Sequence, residues 1–315
     1  MSLKFLFGLD DSERSCQALR KLGSLLEPTG VHVHLFYAAP ESSLFYPGEL
    51  STLSGEPDPW KKSQEGRARG ILERAADLLL NLGFKRSRIE QELRLKSVNA
   101  AQDILAAGER QESSAIVLAR KGRSAVKRFF LGSTTATVCQ YSEKLPVWVV
   151  GSQSLEPPHL LVALDESPYA GRIISHVGDH FGKLPGTRVT LFHVMPAKPP
   201  GYWDDGHILD ETERSERQRM VAKWRAAYEE ETGDFFLKAK SHLTGVGVPE
   251  GKISIKRQTL VEGIARDILA EAGRGDYNIL AFGRRGSSAI KEFTLGSRAA
   301  KMLNTPFDGT LILVS

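Results

Sequence analysis

One pattern occurs twice in this chain and limits what it can fold into. After the apolar run 277–282 comes Gly283-Arg-Arg-Gly286, then nine residues, then Gly296-Ser297. The run 115–118, followed by Ala119, Gly122, Gly132 and Ser133, keeps that spacing 164 residues earlier, with only the first glycine changed to alanine. Two copies of one strand, one spacing and one Gly-Ser pair within 315 residues mark an internal duplication. Each copy must then close its own core within about 150 residues, an ordinary domain size.

The chemistry of the repeated stretch points to an anion. A strand that runs into glycines and returns at a Gly-Ser helix start gathers backbone N–H groups around a small volume, a seat for phosphate. Glycine lets the main chain approach an anion without a Cβ in the way. A tight turn with a capping serine would use the same residue types without a ligand.

Hydrophobic patterning fills in the rest of each copy. Residues 3–9 read as a buried parallel strand and the next helix has Ser12 as its N-cap, with Cys16, Leu19, Leu22 and Leu26 on one face. Residues 31–37 give a second strand with His32 and His34 on one face, expected as partly exposed sheet histidines rather than metal ligands. Helix 61–82, strand 89–96, helix 99–108, strand 115–118, helix 133–141 and strand 146–150 complete the first copy. The polar, proline-bearing stretch 153–158 separates domain 1–152 from domain 159–315. The second copy repeats the order from Asp165-Glu-Ser167, with Ser167-Pro168 expected to start a helix. Residues 210–243 form a long charged helix or helix pair, with Met220, Trp224, Ala227 and Tyr228 as its expected packing face. Residues 40–59 read as a long loop, either a lid or contact surface or a plain surface excursion, and residues 195–206 as its lid-like counterpart. Alternating strands and helices predict an α/β fold: two tandem doubly wound domains, each a five-stranded parallel sheet flanked by helices, with ligand outside the carboxyl ends of the strands.

These residues resemble the universal stress proteins, in particular their tandem two-domain members. The resemblance rests on Gly-x2-Gly-x9-Gly-Ser after the fourth strand and an Asp ending the first strand of each copy, and it covers nearly the whole chain. It implies an adenine-nucleotide-hydrolase-like fold and binding of ATP or a related adenine nucleotide, with or without magnesium. Carried over by position, the nucleotide-binding residues are Asp165, Gly283, Gly286, Gly296 and Ser297 in the second copy and Asp10, Gly122, Gly132 and Ser133 in the first. Ala119 weakens the first site. Single-domain relatives pair through their last strand, so residues 146–150 and 310–314 are expected to face one another as an intrachain pseudo-dimer, with homodimers and protein partners as further expectations.

Composition removes other classes. With 42 basic and 38 acidic residues the net charge is only +4, too small an excess for a nucleic-acid face. No apolar run reaches the roughly 18 residues of a membrane span. Two cysteines imply buried, reduced thiols rather than a disulfide framework, and a cytoplasmic protein is expected. No nucleophile stands beside an evident base. Three functions stay open: a nucleotide-binding stress regulator, an interaction scaffold of the same fold, and a slow ATPase.

Overall fold

The computed structural model describes residues 3–40, 59–120, 131–167, 169–199, 210–285 and 295–315. Gly122, Gly286, Pro168, most of the expected loop 40–59 and the greater part of 195–206 lie outside these residues. The first half contains β1 (Lys4–Leu9), α1 (Glu13–Leu26), β2 (His32–Pro40), α2 (Pro59–Asn81), β3 (Ile89–Ser97), α3 (Ala100–Arg110), β4 (Ala115–Ala119), α4 (Ser133–Tyr141) and β5 (Val147–Val150). The second half follows with β6 (His159–Ala163), α5 (Ala170–Phe181), β7 (Arg188–Met195), α6 (Glu211–Gly245), β8 (Ile253–Thr259), α7 (Ile264–Arg274), β9 (Ile279–Gly283), α8 (Ser297–Leu303) and β10 (Thr310–Val314).

Both halves carry the strand order expected of a doubly wound sheet, and the two sheets are one. Ten strands run β3-β2-β1-β4-β5-β10-β9-β6-β7-β8, parallel within each half and antiparallel only where β5 meets β10. Trp148 stands opposite Ile312, its own counterpart 164 residues on, so the join lies on the pseudo-twofold. The reason is in the residues. Val147–Val150 and Thr310–Val314 are buried along their whole length and carry almost no polar side chain. As sheet edges they would expose unpaired backbone beside apolar side chains, and pairing removes both edges at once. The true edges are β3 and β8, whose charged residues are largely exposed.

Helices α1, α2, α5 and α6 cover one face of the sheet and α3, α4, α7 and α8 the other, which divides the apolar core in two. Continuous apolar strands such as Ala115–Ala119 are what a sheet covered on both faces requires. One local signal also holds, the Ser12 side chain accepting from the Ser15 amide at the start of α1; Asn99, expected as the first residue of the next helix, stands one position earlier as the cap of α3. Both cysteines are free thiols, but Cys16 is only half-buried rather than buried as expected; burial pushes the Cys139 thiol up to about 12, so it is inert packing.

Three further expectations are corrected. His32 is partly exposed as expected, but His34, two residues on, is 1% exposed because α3 covers this part of β2; its Nε2 lies 3.2 Å from Glu92. The second is Ser167, which does not cap α5. Its amide is held by Asp165, and the helix begins only at Ala170. The last is the packing face of α6, which is a single helix of 35 residues, one of the two forms expected: its buried positions are Thr232, Phe236, Ala239 and Leu243, whereas Trp224 and Tyr228 are half-buried and Met220 and Ala227 exposed. At 1.5 Å per residue such a helix runs about 50 Å, far longer than a strand of eight residues, so only part of it can lie on the sheet.

Candidate functional site

In each half the strand order reverses between the first strand and the fourth, and crevices form at the carboxyl ends of strands flanking such a reversal. In the second half that point holds a cavity of about 500 Å³. Its walls come from the ends of β6, β7 and β9, from Ile173 of α5, from α7 and from α8. Asp165, Gly283, Gly296 and Ser297 all line it, so four of the five residues expected here share one volume, and the fifth, Gly286, lies outside the described residues. Phe192, Val194, Ile264, Ile268 and Met302 give it apolar walls. Arg285 and Arg298 supply positive charge, and His193 adds a polar edge.

Close packing explains the glycines. A Cβ on Gly296 would stand 3.0 Å from the Arg284 carbonyl oxygen, and one on Gly283 would stand 3.0 Å from the Arg285 oxygen and 3.3 Å from Ile173 Cδ1. The Gly296 amide donates to the Arg284 carbonyl at 3.1 Å, which ties the end of β9 to the start of α8. Ser297 is exposed at the first position of α8. The N-cap position belongs to Gly296, so Ser297 is not the capping serine of the ligand-free alternative. With only seven residues, α8 adds a modest dipole, and the local N–H groups matter more.

Partly buried Asp165 accepts from the Ser167 amide at 3.1 Å. Beside it, His193 is fixed by two bonds: Nδ1 donates to the Leu164 carbonyl at 2.9 Å and Nε2 meets the Tyr228 hydroxyl at 2.9 Å. Burial, reinforced by a hydrogen bond to Glu166, raises the Tyr228 phenol above its usual range. Sequence reading passed over His193 because nothing in a strand pattern shows that α6 will bring a tyrosine to it.

The α7 wall is anchored by Asp267. Its carboxylate accepts from the amides of Val261 at 2.9 Å and Glu262 at 3.2 Å. Burial works against the charge, but the amides of Val261, Glu262 and Gly263 outweigh it and hold the carboxyl below its ordinary range. Asp267→Ala is expected to cost about 1–3 kcal/mol in a chemical denaturation curve, because two partly buried amides at the start of α7 lose a charged acceptor. A change under about 0.5 kcal/mol would contradict this anchoring role.

The first half differs. Asp10 is exposed, with its Oδ1 accepting from the amide and hydroxyl of Ser12. Asp11 pairs with Arg67 and Arg74 of α2. Gly132 and Ser133 stand at the start of α4 as expected, and Gly122 lies outside the described residues. The guanidinium groups of Arg120 and Arg284 turn away from the strand-end sites. Each crosses to the other half and donates to main-chain carbonyls there.

A model of the universal stress protein family matches residues 1–151 and again residues 158–306. The chain belongs to the universal stress protein family. Among solved structures, a universal stress protein from Archaeoglobus fulgidus is similar over 99% of this chain and 98% of its own, with 20% identity and a TM-score of 0.63. A functionally unknown protein from Pseudomonas aeruginosa is similar over 99% and 92%, with 13% identity and a TM-score of 0.62. At such identities the likeness shows the fold, and it extends across both halves of this universal stress protein. No curated protein matches the sequence. Among the described residues no helix is long and apolar enough to cross a membrane.

Proposed function

We propose that the second half of this universal stress protein binds an adenine nucleotide, ATP in the first instance, and that the protein acts as a nucleotide-responsive stress regulator rather than a dedicated catalyst. One observation carries this reading: the cavity of about 500 Å³ in which Asp165, Gly283, Gly296 and Ser297 meet apolar walls and two arginines. That volume lies within the range of small-molecule sites, roughly 300–1,000 Å³. The apolar walls suit a purine, the Asp165 carboxylate can accept from ribose hydroxyls, and the main chain of Gly296 and Ser297 with Arg285 and Arg298 suits phosphate oxygens. Among the described residues no group of three or more His, Cys, Asp or Glu could hold a metal, so a magnesium ion here would lean on the phosphates themselves. The second half is favoured because the first carries Ala119 where Gly283 already has a carbonyl 3.0 Å from its Cβ position. A cytoplasmic location accords with free thiols and a ready ATP supply.

Calorimetric titration of Mg-ATP into the whole chain tests this. Asp165→Ala and Ser297→Ala are each expected to weaken binding by about tenfold, equivalent to ~1.4 kcal/mol, while Asp10→Ala and Ser133→Ala change it less than about twofold. Equal losses from both halves would contradict the assignment to the second. No heat with the unaltered protein would leave the interaction scaffold as the better reading.

A further inference from the structure

Arg120 and Arg284 stand 164 residues apart, the offset of the duplication, and they do the same thing in opposite directions. Each is the residue that follows a central strand, with its amide bonded to the last residue of β5 or β10: Arg120 N–H to the Val150 carbonyl at 2.9 Å, Arg284 N–H to the Val314 carbonyl at 2.7 Å. Each guanidinium is buried and crosses the β5–β10 join. Arg284 donates to the carbonyls of Cys139 at 3.4 Å, Ser142 at 2.5 Å and Gln140, around the end of α4. Arg120 donates to the carbonyls of Leu303 at 3.1 Å, Thr305 at 2.7 Å and Phe307 at 2.7 Å, at and beyond the end of α8. A planar fork with several donors suits such a cluster of carbonyls, and a cation is favoured at the negative end of a helix.

Both arginines are also joined to the second-half cavity. Arg284 reaches it through its own carbonyl, which accepts from the Gly296 amide. Arg120 reaches it through α8, whose first residue, Ser297, lines the cavity. At their far ends the two routes arrive at the counterpart positions in the first half. One enters α4, which begins at Ser133, and the other meets the end of β4.

We propose that this reciprocal arginine exchange couples the two halves, so that a ligand held by the main chain of Gly296 and Ser297 changes the stability of α4 in the first half. The ligand part rests on the nucleotide reading above; the clasp itself does not. Burial lowers the pKa of both guanidinium groups, yet each stays charged at any physiological pH, so the coupling does not depend on titration. Lysine keeps the charge but cannot span three carbonyls with a fixed fork.

Hydrogen–deuterium exchange on the whole chain, unaltered and as Arg284→Lys, tests the clasp without ligand. Exchange is expected to quicken by about tenfold at residues 139–142 and also at 296–298, on the opposite side of the join. Quickening confined to 139–142 makes Arg284 a local cap and overturns the proposal. Arg120→Lys gives an independent arm: faster exchange is expected both at 303–307 and at the end of β4, and a change at 303–307 alone counts against coupling. A second measurement adds Mg-ATP. In the unaltered protein it is expected to slow exchange at 139–142, and Arg284→Lys abolishes that slowing. If calorimetry records binding and 139–142 does not respond, the coupling is wrong; if calorimetry records none, the nucleotide reading fails and the ligand-free arms still decide the clasp.

Discussion

Trp148→Ala is expected to lower the free energy of unfolding by about 3–5 kcal/mol, the usual range for removing a large aromatic side chain from a core. Trp148 is 1% exposed and stacks on Phe181 at 5.2 Å with the rings nearly parallel. Phe5 meets it edge-on at 5.2 Å. Its position makes the loss more than local: β5 belongs to the first half, whereas Phe181 and His176 belong to the second, so one side chain packs across the join. Denaturation of Trp148→Ala should therefore lose coincidence between a probe in each half. A single transition displaced by less than about 1 kcal/mol would show that the join does not depend on this residue.

Acid is expected to weaken the same region. The indole Nε1 can only donate, so His176 Nε2, 2.8 Å away, is the unprotonated acceptor. His180 Nδ1 donates to the His176 carbonyl at 2.7 Å, which leaves its Nε2 buried and without a partner among the described residues. Burial lowers the pKa of both rings, well below the ordinary value for His176, and each histidine's neighbours act in a known direction: His180 lowers His176 further, whereas the carbonyl bond and Asp179 pull His180 back up. The folded pKa values thus lie below the unfolded value near 6.5. Above that pH both states are neutral and the stability is fully present; below it the unfolded chain binds protons that the folded one refuses, and stability falls as pH falls. Between pH 7.5 and 5.5 the loss is expected to be roughly 1–3 kcal/mol, read as a fall in Tm of several degrees. In Trp148→Ala the exposed rings should protonate more easily, so the acid slope should flatten. A Tm that is flat over this interval in the unaltered protein would contradict the neutral, buried state of the pair.

How much of this was written in the chain depends on the reach of each signal. The strand and helix order was legible because period and capping are local, as with Ser12 and the apolar β5 and β10. Pairing of β5 with β10 followed from two apolar edges that needed cover. Asp165, Gly283, Gly296 and Ser297 could be brought together because the crevice of a doubly wound sheet is fixed by strand order. The arginines could not be read. Where Arg120 and Arg284 point depends on helix ends that only the other copy of the fold brings near, and no local pattern shows that. His34 and the packing face of α6 failed for a related reason: alternation and helical period show which residues share a face, and the neighbours decide how much of that face is covered.

The central claim is that the crevice between β6 and β9 holds a nucleotide. A crystal structure of the whole chain grown with magnesium and a non-hydrolysable ATP analogue tests it most directly. Density for the analogue is predicted between Asp165 and Ser297, with the purine among Val194, Ile264 and Ile268. An analogue seated at Asp10 and Ser133 with the second crevice vacant, or both crevices vacant at saturating analogue, would contradict it.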